Sequence, residues 1–237
     1  MAIEREADRL AVQGLRAGYG QSEVLHSLDF TVGAAEIVVI VGRNGMGKST
    51  LMKSLIGMIP SKGGTIRLDG VDLGPLPSHE RVAKGLAYVP QGRMIFPAMT
   101  VQENIETGLF VHKTKMIPPD LYTLFPVLQE MRRRRGGNLS GGQQQQLAIA
   151  RALATNPSVL LLDEPTEGIQ PSIIQELART LRRIRDERGL SIIASEQVLS
   201  FALDIADRML VLEGGRIVHE DARADVDQAT VARYLAV

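Results

Sequence analysis

The segment Glu36-Ile-Val-Val-Ile-Val-Gly42 runs without a break into Gly42-Arg-Asn-Gly-Met-Gly47-Lys48-Ser49. The apolar run is too short for a helix and rich in β-branched residues, so it predicts a strand buried on both faces, as in a parallel sheet. The next eight residues match G-x-x-x-x-G-K-[ST], and a helical pattern follows over Lys48–Gly57. Strand, glycine-rich loop and helix in that order make a phosphate cradle. Backbone N–H groups wrap a polyanion, and glycine removes the Cβ that would block its approach. The helix N-terminus points its positive dipole end at the same place. The pattern assigns Gly42, Arg43, Asn44, Gly45, Met46, Gly47, Lys48, Ser49 and Thr50 to nucleotide contact. Lys48 is expected to reach the β- and γ-phosphates, and the Ser49 hydroxyl to ligate Mg²⁺.

The rest of the chain supports a fold built around that loop. Val24–Val32 alternates as a half-buried strand, and short apolar runs recur at Leu86–Val89, Val159–Asp163, Ser191–Ala194 and Met209–Leu212. Helical patterns lie between them at Ser140–Ala154, Pro171–Arg188 and Leu199–Ala206. Strands alternating with helices predict an α/β fold with a mainly parallel sheet. Residues 94–154 carry no strand pattern and several helix candidates broken by Pro97, Pro118, Pro119 and Pro126, which reads as a helical insertion in the core. The region up to residue 36 and Thr65–Leu68 read as antiparallel strands, and Glu213-Gly214-Gly215-Arg216 as a hairpin turn. Residues 1–237 are expected to form one domain.

Composition removes several other classes. Lys+Arg and Asp+Glu both number 27, so the formal net charge is 0, which argues against a globally basic nucleic-acid binder. Aromatics are 4% with no Trp, which disfavours a base-stacking surface. No cysteine is present, so disulfides, cysteine-ligated zinc and a catalytic thiol are excluded. His26, His79, His112 and His219 are scattered without ligand spacing. Arg132–Arg135 reads as a solvated helix end. The longest apolar runs fall far short of the roughly 20 residues that cross a bilayer. Met1–Arg9 has two Arg, three acids and no apolar stretch, so it does not read as a signal peptide. Any membrane role is therefore expected to be peripheral.

A second acidic site complements the loop. Val159-Leu-Leu-Leu-Asp163-Glu164 predicts a buried strand ending in two acids that face the phosphate loop. Asp163 is placed to hold Mg²⁺ and Glu164 to polarise an attacking water. Leu139-Ser140-Gly141-Gly142-Gln143 then opens a helix with a hydroxyl and two glycines, a further anion site in form.

These three segments together resemble the nucleotide-binding subunits of ABC transporters over nearly the whole chain. The resemblance implies a P-loop NTPase of the ABC type, with an N-terminal antiparallel β-subdomain and a helical subdomain at about 94–154. It implies ATP and Mg²⁺ as ligands. It also implies that Ser140, Gly141, Gly142 and Gln143 face the γ-phosphate held by a second subunit. By the same resemblance Tyr19, in Gly18-Tyr19-Gly20, stacks on adenine, and Gln91 contacts Mg²⁺ or the attacking water. The segment Gln91-Gly-Arg-Met-Ile-Phe-Pro97 is expected near the groove that receives a permease helix. Two positions depart from the family pattern. Gln197, in Ser191-Ile-Ile-Ala-Ser195-Glu196-Gln197, stands where a histidine usually contacts the γ-phosphate, and Gln cannot become a cation. Ile169-Gln170 stands where the dimer-contact loop usually carries Asp.

Both departures resemble the second ATPase of branched-chain amino-acid-type importers. Leu124–Glu130, Arg134–Leu153 and Asp163–Ile174 look like the urea importer's ATPase. The resemblance implies an importer of urea, or as the rival reading of leucine, isoleucine and valine. It implies a heterodimer with a second ATPase subunit, or a homodimer in isolation, with two transmembrane permease subunits and, indirectly, an extracytoplasmic solute-binding protein. The expected location is the cytoplasmic face of the inner membrane. Two rival readings remain at this point: a soluble ABC ATPase acting on nucleic acid or ribosomes, and a regulatory module that binds nucleotide without hydrolysing it.

Overall fold

The computed structural model describes residues 8–112 and 116–235, so Met1–Ala7 of the stretch read for a signal peptide lies outside the described residues. Two sheets organise the chain. The first is antiparallel, in the order β2-β1-β4-β5, from β1 (Asp8–Ala17), β2 (Leu25–Gly33), β4 (Ser61–Leu68) and β5 (Val71–Asp72). The second has six strands in the order β10-β9-β3-β8-β7-β6. Here β3 (Ile37–Val41), β6 (Leu86–Val89), β7 (Val159–Asp163), β8 (Ser191–Glu196) and β9 (Arg208–Glu213) run parallel. Strand β10 (Arg216–Ala222) turns back on β9 through Gly214 and Gly215, both at positive φ, as the hairpin reading expected.

The central strands read as unbroken apolar runs because both faces are covered. Ile37, Val39 and Val41 join one core cluster, while Val38 and Ile40 join the other. The first face packs α3 (Val101–Leu109), α6 (Gly141–Leu153), α7 (Pro171–Arg188) and α8 (Leu199–Ile205). The second packs α1 (Lys48–Leu55) and the antiparallel sheet. Between β6 and β7 the described residues hold helices, including α4 (Pro119–Leu124) and α5 (Pro126–Glu130), and one isolated bridge between Thr100 and Arg135. Arg132–Arg135 are exposed in the turn after α5, and the carbonyls of Arg134 and Arg132 accept from Val101 and Gln102 at the start of α3. The short α2 (Ser78–Ala83) and the terminal α9 (Gln228–Leu235) complete the fold.

Several boundaries shift from expectation, by four residues at the start of β4 (Ser61 rather than Thr65), and two of the shifts have clear reasons. Strand β8 continues past Ala194 to Glu196, because Ser195 and Glu196 are polar yet buried and still pair with neighbouring strands. Helix α1 stops at Leu55 rather than Gly57. Gly57 takes φ 83°, Met58 N donates to Lys53 O, and Gly57 N to Ser54 O, which is the Schellman closure.

The same helix end is capped by a buried cation. Arg81 of α2 is 2% exposed, and its Nη1 donates to the carbonyls of Ser54 and Leu55 at 2.9 and 2.8 Å. Its Nε donates to Leu76 O at 2.9 Å. Burial lowers its pKa, and the charge of Asp72 opposes that shift. A Cβ at Gly57 would stand 2.8 Å from Arg81 Nε, so glycine is required by the cap as well as by its φ. Replacing Arg81 with Met strips these carbonyls of their donor and should cost roughly 2–3 kcal/mol of unfolding free energy. Denaturant titration of the variant against the parent chain measures it.

Candidate active site

The phosphate loop lies between β3 and α1, with Gly45 at φ 81° and Gly47 at φ 107°. At Gly42 a Cβ would stand 2.4 Å from Leu212 O of β9, so only glycine lets the chain leave the sheet here. Lys48 is 4% exposed, and its Nζ donates to Gly42 O at 2.8 Å and Arg43 O at 3.1 Å. The same ammonium lies 3.2 Å from Glu164 Oε1. A cavity of about 240 Å³ opens at this point, lined by Val24, Asn44, Gly45, Gly47, Lys48, Ser49, Thr50, Gln91 and Glu164.

Other residues expected in the loop serve its walls. Arg43 contributes its carbonyl to Lys48. Met46 anchors the loop to the β9–β10 hairpin, its carbonyl accepting from Gly215 N at 3.1 Å and its Sδ from Gly214 N at 3.3 Å. Tyr19 is 53% exposed and is not among the lining residues. Its turn closes through Ser22 N to Tyr19 O and Val24 N to Ala17 O, which sets Val24 at the cavity wall.

The acids meet the loop across the sheet. Asp163 is 2% exposed, and its Oδ1 accepts from Ser49 Oγ at 3.1 Å and Ser195 Oγ at 2.7 Å. Its Oδ2 accepts from the Tyr88 hydroxyl at 3.2 Å. Burial, and then the charge of Asp163, pushes the Tyr88 phenol up, so it stays a donor. Glu164 sits at φ 48°, a left-handed position that costs on the order of 1–3 kcal/mol for a non-glycine residue. Its N–H donates to both the carbonyl and the Oγ of Ser195, each at 3.1 Å. The carboxylate gathers donors from three segments: Gln197 Nε2 at 2.7 Å, Gln91 Nε2 at 3.3 Å and Lys48. One residue before Gln197, the buried Glu196 carboxylate accepts from the N–H of Thr166, Gln197 and Val198. Burial raises its pKa against the pull of those bonds.

Ser49 and Asp163 present oxygen donors side by side, and no cluster of three or more His, Cys, Asp or Glu that could hold a metal occurs among the described residues. That set fits Mg²⁺, a hard cation held through one or two protein oxygens plus substrate phosphates.

The segment at Ser140 lies apart from this cavity. Ser140 caps α6: its Oγ accepts from Gln143 N at 3.3 Å, and Gln143 Oε1 accepts from Ser140 N at 3.0 Å. A Cβ at Gly142 would stand 2.5 Å from Ile173 Cγ2, so glycine lets α6 close on α7. Within one chain, Ser140, Gly141, Gly142 and Gln143 are not among the residues lining the phosphate cavity. Sequence reasoning missed Tyr88, Ser195 and Glu196. The available signal was strand register: Ser195 on β8 pairs with Asp163 on β7, and Tyr88 lies on the next strand over.

Comparison with known proteins agrees with the fold. Residues 25–167 match the protein family described as ABC transporter. The high-affinity branched-chain amino acid transport ATP-binding protein BraG of Pseudomonas aeruginosa is 42% identical over 87% of this chain and 89% of its own. A probable branched-chain amino acid transport ATP-binding protein, LivF of Archaeoglobus fulgidus, is 35% identical over 86% and 87%. The ADP conformation of MJ1267, an ATP-binding cassette of an ABC transporter, superposes with a TM-score of 0.80 at 25% identity, covering 97% of this chain and 99% of that one.

Ser195→Ala leaves the buried Asp163 carboxylate without its shortest hydrogen bond. The variant should lose about 1–2 kcal/mol of stability, read by thermal denaturation beside the parent chain.

Proposed function

The chain belongs to the ABC transporter family as one of its ATP-hydrolysing cassettes, and from that premise we propose that it powers a solute importer from the peripheral, cytoplasmic side of a membrane. No helix among the described residues is long and apolar enough to cross a membrane, so passage of the solute falls to permease subunits. The observation that carries the reading is the Glu164 carboxylate at the phosphate cavity, held by Lys48, Gln91 and Gln197.

The chemistry follows from those donors. Loop N–H groups from Gly42 to Thr50 receive the phosphates of ATP, and Tyr19 supplies an exposed ring for the adenine. Lys48 exchanges its loop carbonyls for phosphate oxygens, which frees Glu164 of its cation. Glu164 then orients a water and accepts its proton as oxygen attacks the γ-phosphorus and the bond to ADP breaks. Gln91 and Gln197 hold the carboxylate in place during that step. Ser49 and Asp163, with Gln91 near them, would hold Mg²⁺, which neutralises charge on the phosphates. Ser140, Gly141, Gly142 and Gln143 serve the nucleotide of a second ATPase subunit, so each site is completed by dimerisation. Gln197, unable to carry charge, makes this chain's site unequal to that of a histidine-bearing partner in a heterodimer.

A groove of about 400 Å³ along the edge strand β6 fits one helix of a permease subunit. Met94 and Phe96 stand exposed beside Ala87, Gly108 and Arg151. Two permease subunits and an extracytoplasmic binding protein complete the assembly. For the solute, BraG and LivF support branched-chain amino acids. Urea is the second reading, favoured by the segments Leu124–Glu130 and Asp163–Ile174. Vesicles carrying the chain with its permease partners, given labelled leucine or labelled urea, should accumulate leucine when ATP is inside. Accumulation of urea alone reverses the order of the two readings.

Glu164→Gln should lower turnover by about two orders of magnitude or more while ATP binding persists, because the proton acceptor is lost and the cradle is kept. On the same assembled complex, Gln197→His should change the turnover rate. Equal rates for parent and Gln197→His, beside an inactive Glu164→Gln, remove the basis for unequal sites.

A further inference from the structure

Just beyond Gln91 the backbone takes three left-handed positions in succession: Gly92 at φ 75°, Arg93 at φ 69° and Met94 at φ 47°. Glycine adopts this conformation without strain, but Arg and Met hold it only where contacts enforce it. Those contacts converge on Arg93. Its Nη2 donates to Glu167 O at 2.6 Å and reaches Gly168 O at 3.4 Å. Its own carbonyl accepts from Arg151 Nη2 at 3.2 Å, and the Arg151 guanidinium lies 5.2 Å from the centre of the Phe96 ring. Arg151 belongs to α6, the helix that begins at Gly141. At Gly141 a Cβ would stand 3.1 Å from Gly168 O and 3.5 Å from both terminal nitrogens of Arg93.

The Arg93 side chain therefore binds two carbonyls of a second segment and stands beside a third. Its own loop carries Gln91, which donates to Glu164. The second segment begins at Glu164 and reaches the two carbonyls that Arg93 binds. The third is the turn at Gly141. Arg93 is not among the residues lining the phosphate cavity.

We propose that Arg93 is a positioning residue that fastens the Gly141 turn to Glu164 across the carbonyls of Glu167 and Gly168. The inference rests on the reading above, in which Glu164 serves this chain's nucleotide and the Gly141 turn serves that of a second subunit. The two groups then move as one body, and a shift at one composite site is carried to the other through a single guanidinium. The strain at Arg93 and Met94 is held by the same contacts, so losing the guanidinium lets the loop relax.

Hydrogen exchange on the full chain tests the clamp directly. The N–H groups of Glu167, Ile169 and Gln143 are all hydrogen-bonded, so their protection is measurable. Arg93→Ala should raise exchange about fivefold or more in residues 166–170 and in residues 140–143, while the amides of the phosphate loop and α1 keep theirs. In the assembled complex the same variant should lower kcat about tenfold with KM within about twofold, since nucleotide contact is intact. Arg93→Lys keeps a cationic donor and should recover most of both effects. Unchanged exchange in either segment overturns the proposal. So does an unchanged kcat, or a rise in KM together with a fall in melting temperature, which marks a merely structural role. The underlying reading fails separately: an assembled complex whose Glu164→Gln variant keeps the parent's turnover removes Glu164 from the reaction, and the exchange result still decides whether Arg93 is a clamp.

Discussion

A buried ammonium at Lys48 sets the terms for everything around it. Taking that charge out of water costs several kcal/mol unless oxygens surround it. Gly42 O, Arg43 O and Glu164 Oε1 do so from two strand ends. The requirement then passes outward. Glu164, held near a cation, needs its second oxygen satisfied, and Gln91 supplies a donor. Its left-handed backbone needs an anchor, and Ser195 gives one through both carbonyl and hydroxyl. Ser195 also binds Asp163, so β7 and β8 are joined by side chains at their ends as well as along their ladder.

The parallel register makes this convergence possible. Val41 pairs with Glu196, and Asp163 pairs with Ser195, so three strands end at one edge of the sheet. Strand interiors meet covered faces and are wholly apolar, while the ends carry polar groups that are buried yet satisfied by one another. Glu196 shows the same economy, with three N–H donors around one buried carboxylate. The polar groups of the candidate site are therefore set by strand ends, and the loops inherit their placement from the sheet.

Features with a local signature were legible in the sequence. Strands β6 and β7 and helix α7 fall at the expected residues, because unbroken apolar runs and a helical apolar stripe bounded by Pro171 and Gly189 need no partner to be seen. Strand β1 was visible only as part of an antiparallel region. Its register slips between Val12 and Leu15, so the buried positions change phase midway and the alternation breaks. Lys48, Ser49, Asp163 and Glu164 were legible because their spacing is tied to a loop and a strand end. Tyr88, Arg93 and Arg81 were not. Each acts on a group far away in the chain, and a lone Tyr or Arg carries no sign of which carbonyl or carboxylate it will meet. Gln197 was legible as a departure, but its hydrogen bond to Glu164 was not.

The tip of the β9–β10 hairpin ties these parts together. Gly215 N donates to Met46 O in the phosphate loop, and Gly215 O accepts from His26 N on β2. A Cβ at Gly215 would fall 1.8 Å from Val24 O, so nothing larger than glycine fits between loop and strand. The phosphate loop is thus braced by backbone from both sheets at once. By thermodynamic linkage, a ligand that binds only the intact loop adds its binding free energy to both sheets together. Neither sheet can then melt first without giving up the ligand, so an occupied cradle couples the melting of one sheet to that of the other.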